Sequence, residues 1–354
     1  MTRFAWLQSR TQTLTVAAVL AALAVAAAVT GVQLSHLYNS LVAHCHTGCD
    51  LATSQFLSHD HFMDHALNIL AQAVPALIGI FWGAPLLARE FETGTYRLAW
   101  TQSVTRSRWL ITKLAIGGLA TATVAGLLTL TITWWYRALD TVSTNQYAVF
   151  DRRDIAPIGY AAFAFAVGAL AGAVIRRTLP AMATTLGVYV FALIATTLWV
   201  RPHLLAPVHK TVSLLGAGPS APVQLGVGSR NGGALTLFAQ GEGPAKSWTL
   251  SSHLLTSSGQ KPSSAQISAF LHQYCPNAGL PPAAPQPGQG VARVVGPDAG
   301  RACLDQAAKM FHLLVTYQPA SRYWTFQWLE TGIFVALALL AAAVCYWWVI
   351  RRTN

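Results

Sequence analysis

The chain has 354 residues, 53% of them hydrophobic and only 10% charged, with a mean hydropathy of +0.43. That balance excludes a soluble two-domain protein of the same length and defines an integral membrane protein. The net charge of +11 is not a nucleic-acid signature, because the basic residues form no long run interleaved with aromatics of the kind a strand-binding groove needs.

Six apolar runs are long enough, at about 20 residues each, to cross a hydrocarbon core of about 30 Å. They cover residues 14–32, 67–88, 114–136, 155–175, 180–200 and 331–350. The expected architecture is an all-α integral membrane protein with six transmembrane helices and a small mixed α/β extracytoplasmic domain between helices five and six. Residues 1–13 precede the first run, and Phe4, Trp6 and Leu7 beside Arg3 and Arg10 suit an amphipathic segment at the inner surface. The first run is longer than a signal-peptide core and reads as a retained anchor. Helices one to five occupy 14–200, with outer loops at 33–66 and 137–154.

The first outer loop holds His36, His44, His46, His59, His61 and His65 together with Cys45 and Cys49. Imidazole and thiol groups so close could hold zinc or copper, but no established ligand spacing is matched, so no metal is assigned. In the fourth run Gly168 and Gly172 have a small-xxx-small spacing that admits a close neighbour, read as an internal helix contact with a subunit interface as the alternative.

Residues 201–328 form the large outer domain, broken by Gly, Pro and Ser around 214–233, 241–244 and 276–300. Within it, 234–239 reads as a strand, and 263–275 and 300–317 read as helices, the first begun by Ser263 or Ser264. Four cysteines, Cys45, Cys49, Cys275 and Cys303, fall on the outer side, where an oxidising compartment permits disulfides. Of three possible pairings, Cys45 with Cys49 and Cys275 with Cys303 keeps each bridge within one loop, and Cys345 reads as a small apolar packing residue. The segment 329–354 comprises helix six and a short tail, framed by Tyr323, Trp324, Phe326 and Trp328 at one interface and Tyr346, Trp347 and Trp348 at the other.

Basic residues set the orientation. With both termini in the cytoplasm, eleven of the 23 lysines and arginines fall in short inner segments: Arg3, Arg10, Arg89, Arg97, Arg106, Arg108, Lys113, Arg176, Arg177, Arg351 and Arg352. The six runs as bounded above contain no Asp, Glu, His, Lys or Arg. Ion-coupled transport is therefore not expected, since it needs ionisable groups within the membrane. Nor does the chain carry a phosphate-binding loop: 241–247 has Ala245 where the second glycine belongs.

The densest polar stretch is the inner loop 89–113. Glu90 and Glu92 extend helix two, Gly94 can end it, and Thr95 can cap a new short helix. In that helix Tyr96 and Trp100, four apart, share one face and leave Arg97 on another. Ser103 or Thr105 can cap the following helix with Arg106, Arg108 and Lys113. Break, short helix and restart make a compact knob held between two rigid spans.

This stretch resembles the E-x-x-x-G-T, S-x-x-R and K pattern between the second and third spans of ABC-2 type transporter permeases, particularly those of actinobacteria. Glu90, Gly94, Thr95, Ser103, Arg106 and Lys113 occupy the matching positions, and residues 315–334 are also similar to that group. The resemblance implies the membrane subunit of an ATP-driven exporter, not an enzyme by itself, working as a homodimer or with a second permease homologue in the plasma membrane. It also implies a separate ATP-binding subunit, in which ATP and magnesium reside. This chain itself would bind no cofactor. The knob would be the coupling helix, its arginines meeting acidic groups and Tyr96 and Trp100 serving as anchors. The cargo expected is a hydrophobic or amphipathic compound, such as an antibiotic or lipid. The alternative is a membrane-anchored extracytoplasmic sensor or metal-binding protein without transport activity.

Overall fold

Without water to satisfy backbone polar groups, an apolar run in a bilayer closes its hydrogen bonds internally, and each of the six runs is helical. The computed structural model describes the chain apart from residues 1, 46–48, 50–51, 54, 57–58, 60, 96–104, 143–144, 215–222, 230–234, 242, 276–290, 295–300 and 353–354, and gives backbone alone for 2–17, 61, 223–229, 235–240, 291–294 and 301–304. Among the described residues, six helices are long and apolar enough to cross a membrane: Ala18–Leu41, Phe62–Thr93, Arg106–Tyr136, Gln146–Ile175, Thr178–His203 and Ala320–Arg352, here spans one to six. The helix containing span one runs without a break from Thr2 to Leu41.

The chain divides into two compact units. The first comprises Met1–Ser143, Val149–Leu204 and Trp324–Asn354, and the second Thr144–Ala148 and Leu205–Tyr323. In the first unit span four is the hub. Its Ala156–Ile175 helix buries a nearly continuous series of small residues, from Ala156 and Gly159 to Gly172 and Ala173.

Two glycine pairs with the same spacing, Gly79 with Gly83 on span two and Gly168 with Gly172 on span four, bring the two backbones into contact. A β-carbon added at Gly83 would lie 2.6 Å from the Phe165 carbonyl oxygen, and one at Gly168 would lie 2.8 Å from Ala84 N and collide with the Gly79 carbonyl. Pro75 interrupts the hydrogen-bond ladder just upstream, and Gly79–Gly83 is a single π-helical turn that presents its carbonyls to span four. On other faces of span four, Gly159 accepts the backbone of Thr331 from span six, and Phe334 sits edge-on to Tyr160 and Phe163 with centroids 4.8 and 5.4 Å apart. Span one packs against spans two and three through Ala27, Leu34, Leu67, Ala71, Leu128 and Trp135. Trp135 Nε1 donates to Thr30 Oγ1 at 3.0 Å.

Among the described residues the second unit contains two three-stranded antiparallel sheets. One has the order β1 (Val208–Ser213), β6 (Phe311–Gln318), β4 (Trp248–Thr256), and the other β3 (Leu235–Gly241), β2 (Val223–Ser229), β5 (Val291–Val294). The helix Ser264–Tyr274 starts where expected: Ser263 Oγ accepts from Gln266 N, and the Gln266 side chain reciprocates to the Ser263 N–H, a capping box. The single helix expected over 300–317 is corrected. Helix Arg301–Met310 ends, and the chain continues as central strand β6. The reason is the period-two burial of Phe311, Leu313, Val315 and Tyr317, which face Ile267, Phe270, Leu271 and Leu254 in one core. Strands β1, β2, β4 and β5 are not expected from the sequence reading above; β2 is interrupted by Gly226 and Gly228, and the polar residues of β1 and β4 mask their alternation.

The six runs as bounded hold no charged residue, but the helices that carry them are longer. The helices run past the apolar cores on which the six runs were bounded, and Glu330 and Arg201 lie in them, 0% and 6% exposed.

The glycine contact yields a direct prediction. Gly168→Val should destabilise the protein by about 1–3 kcal/mol through overpacking against span two backbone, read as a lower thermal unfolding midpoint in detergent. Gly126→Ala, at a helical position with open space around it, should be neutral or slightly stabilising.

Candidate functional site

Charged and polar side chains collect at the two ends of the first unit. The loop end is where spans two and three are joined. There Gly94 has φ +72°, ψ 6°, the left-handed conformation that terminates a helix without a side-chain clash. The next described helix begins at Arg106, with Thr105 as its cap: Thr105 Oγ1 accepts from Arg108 N at 3.4 Å. Tyr96, Arg97, Trp100 and Ser103 lie outside the described residues. Thr95 Oγ1 is 3.1 Å from Thr93 Oγ1. Arg108 is exposed and Arg106 half-buried.

The two glutamates on the last turn of span two reach in different directions, as residues two apart on a helix must. Glu90 forms an ion pair with Lys113 of span three, and Lys113 Nζ lies 4.9 Å over the Trp109 ring. Trp109 in turn is packed with Leu87, Leu110, Ala173, Cys345 and Val349. Glu92 Oε2 accepts from Thr178 N at 3.2 Å and Thr178 Oγ1 at 2.6 Å, so that this carboxylate caps the first turn of span five, where the helix dipole favours negative charge. Arg176, with φ 58°, closes span four through its N–H to the Gly172 carbonyl at 3.1 Å and stacks over Phe91 at 5.6 Å. Three inter-span ties thus surround the point where the chain leaves span two at Gly94.

The opposite end holds a buried ionic knot. Arg201 grips Glu330 with both arms of its fork, Nε to Oε2 at 2.8 Å and Nη2 to Oε1 at 2.7 Å, and Nη2 also pairs with Asp151 Oδ1. Tyr160 Oη donates to Glu330 Oε1 at 2.5 Å, and the guanidinium lies 4.5 Å over the Phe150 ring. One helical turn from Glu330, the buried Gln327 accepts from Ala156 N at 2.9 Å and donates to the Phe150 carbonyl at 3.1 Å. Spans four, five and six are thereby fastened at one level. A second set lies at this end: Arg153 donates to both oxygens of Asp140 at 2.7 Å, and Tyr136 bonds Asp64. By the sequence reading Glu330 falls in the 329–354 segment of helix six, Asp140, Asp151 and Arg153 in the outer loop 137–154, and Arg201 in the large outer domain; the spacing Gln327-x-x-Glu330 ahead of the last run is the available signal.

Cys45 and Cys49 are disulfide-bonded, with Cα atoms 5.8 Å apart. Cys275 is also in a disulfide; the side chain of Cys303 lies outside the described residues. Cys345 is a free, buried thiol, 3.8 Å from the Ala169 carbonyl.

Six apolar helices packed through glycine faces, with charge confined to their ends, define a polytopic membrane protein. The family described as ABC-2 membrane transporter related matches residues 17–201, just over half of the chain. The chain belongs to that family and is a permease-type membrane component. No curated protein and no solved structure matches it.

Removing one side of a buried ion pair leaves the other uncompensated, at about 3–5 kcal/mol, whereas replacing both by apolar groups is far milder. Arg201→Met is expected to lower the unfolding midpoint sharply, and the double variant Arg201→Met, Glu330→Met to recover most of that loss. Equal midpoints for single and double variants would refute the knot as the fastening of spans five and six.

Proposed function

We propose that this chain is the membrane-spanning subunit of an ABC-2 type exporter, driven by a separate ATP-binding subunit that carries ATP and magnesium. The observation that carries the reading is the loop end: a helix ended by a left-handed Gly94, a restart at Thr105–Arg106, and Glu90 and Glu92 tying the loop's base to spans three and five. A push on the segment between them would reach spans two, three and five together, because the ties and the glycine contact leave little slack. Such a motion is a rigid-body rocking of helices. The arginines of 97–108 supply charge for acidic groups on the ATP-binding subunit, and Tyr96 and Trp100 supply anchors.

In this reading the loop end and both termini face the cytoplasm, the second unit lies outside the cell, and two permease chains act as a homodimer or heterodimer. The cargo is a hydrophobic or amphipathic compound, an antibiotic or lipid being the chemistry that apolar, threonine-containing spans would accept.

Two measurements test this. An ATP-binding subunit should co-purify with the chain, and Gly94→Pro or Arg106→Glu should weaken that association at least about tenfold, equivalent to 1.4 kcal/mol; undiminished association in both variants counts against docking. A cysteine at position 100 should react with a membrane-impermeant maleimide only after the cells are permeabilised. Labelling of intact cells would put the loop on the wrong side.

A further inference from the structure

Between the last turns of span two and the first turns of span five runs a groove of about 380 Å³. Its polar end is formed by Arg89, Glu92 and Thr178, and its apolar walls by Phe81, Pro85 and Met182. Arg89 and Glu92 are three residues apart and so lie on one helix face. The Arg89 guanidinium is exposed and has no hydrogen bond or ion pair among the described residues, although its backbone carbonyl accepts from Thr93. Glu92 spends Oε2 on Thr178 and, with the Arg177 charge nearby, leaves Oε1 without a hydrogen-bond partner among the described residues. One cation and half of one carboxylate are therefore available side by side.

Depth orders these groups. Spans two and five both terminate here, so the polar end lies at the boundary between headgroups and hydrocarbon whichever side of the membrane it faces. Phe81 precedes Arg89 by eight residues, about 12 Å along the helix at about 1.5 Å per residue, which puts the apolar walls within the hydrocarbon. From the polar end inward the order is a negative group, Glu92, a positive group, Arg89, and an apolar channel, which complements a molecule with an amine, a phosphate and a chain in that order.

We propose that this groove seats one zwitterionic, amine-bearing phospholipid of the bilayer. Its phosphate would sit on Arg89, its ammonium on Glu92 Oε1, and an acyl chain along Phe81, Pro85 and Met182. A primary ammonium satisfies the spare carboxylate oxygen by a charge-assisted hydrogen bond. An anionic lipid without an amine would gain the arginine contact alone.

The test is native mass spectrometry of the full chain, released from detergent and titrated with short-chain phosphatidylethanolamine or phosphatidylglycerol. Wild type should bind one phosphatidylethanolamine about tenfold more tightly than phosphatidylglycerol, about 1.4 kcal/mol. Arg89→Ala should weaken both lipids, Glu92→Gln should erase the preference by weakening phosphatidylethanolamine only, and Met182→Trp should block both by filling the groove without altering charge. Arg351→Ala, an exposed arginine on another span, should change neither. Equal affinity for the two lipids in wild type overturns the proposal. So does normal binding in Met182→Trp, or an Arg351→Ala loss as large as that of Arg89→Ala, which would mark a generic basic surface.

Discussion

The contact on which the first unit depends is backbone against backbone: Gly79 and Gly83 of span two against Ala164, Phe165 and Gly168 of span four, and Ala84 and Ala88 against Gly172. Lipid tails are as apolar as leucine, so burying leucine between helices in a bilayer contributes little, and close van der Waals approach must do the associating. Span four is built for this. Its small residues let spans two, three, five and six reach it on different sides, and that is why it is the most buried of the six. The π turn in span two completes the fit, since widening the helix at Gly79–Gly83 turns its carbonyls toward the neighbour.

Polar ties then work at the ends of this apolar core, where they do not have to compete with hydrocarbon at mid-bilayer. At the loop end they are partly exposed: the Glu90 and Lys113 side chains are 27% and 26% accessible, so the pair contributes about 1 kcal/mol at most. Its value is geometric, in fixing the end of span two against the start of span three. At the opposite end the Arg201 knot is buried, and the same chemistry becomes costly to break. The bundle is thus fastened firmly at one end and more lightly at the other.

Hydropathy and short spacing patterns made much of this legible. Six spans follow from the length of apolar runs, Gly94 as a helix end from its lack of a β-carbon, and the capping box at Ser263 and Gln266 from local spacing. The GALAG spacing in span four was visible, whereas its counterpart GIFWG in span two carries the same signal and was passed over. Glu92 could be placed at the end of a helix, but its bond to Thr178 spans 86 residues and no local pattern encodes it. The Arg201 knot is illegible for the same reason: Glu330 falls in the segment read as helix six, but its bonds to Arg201 and Tyr160 span 129 and 170 residues and no local pattern encodes them.

What the sequence by itself determined is whatever depends on neighbours a few residues apart: the membrane class, the number of apolar runs long enough to span, the capped helix ends and membership of the ABC-2 membrane transporter related family. Tertiary structure alone decided which glycines meet, which span Glu92 holds, where Glu330 finds its cation, and that Phe311–Gln318 is a strand and not the end of a helix. These are questions of partner, and a partner is chosen by packing in three dimensions, where a residue's burial and the satisfaction of its charge are settled by segments far away along the chain.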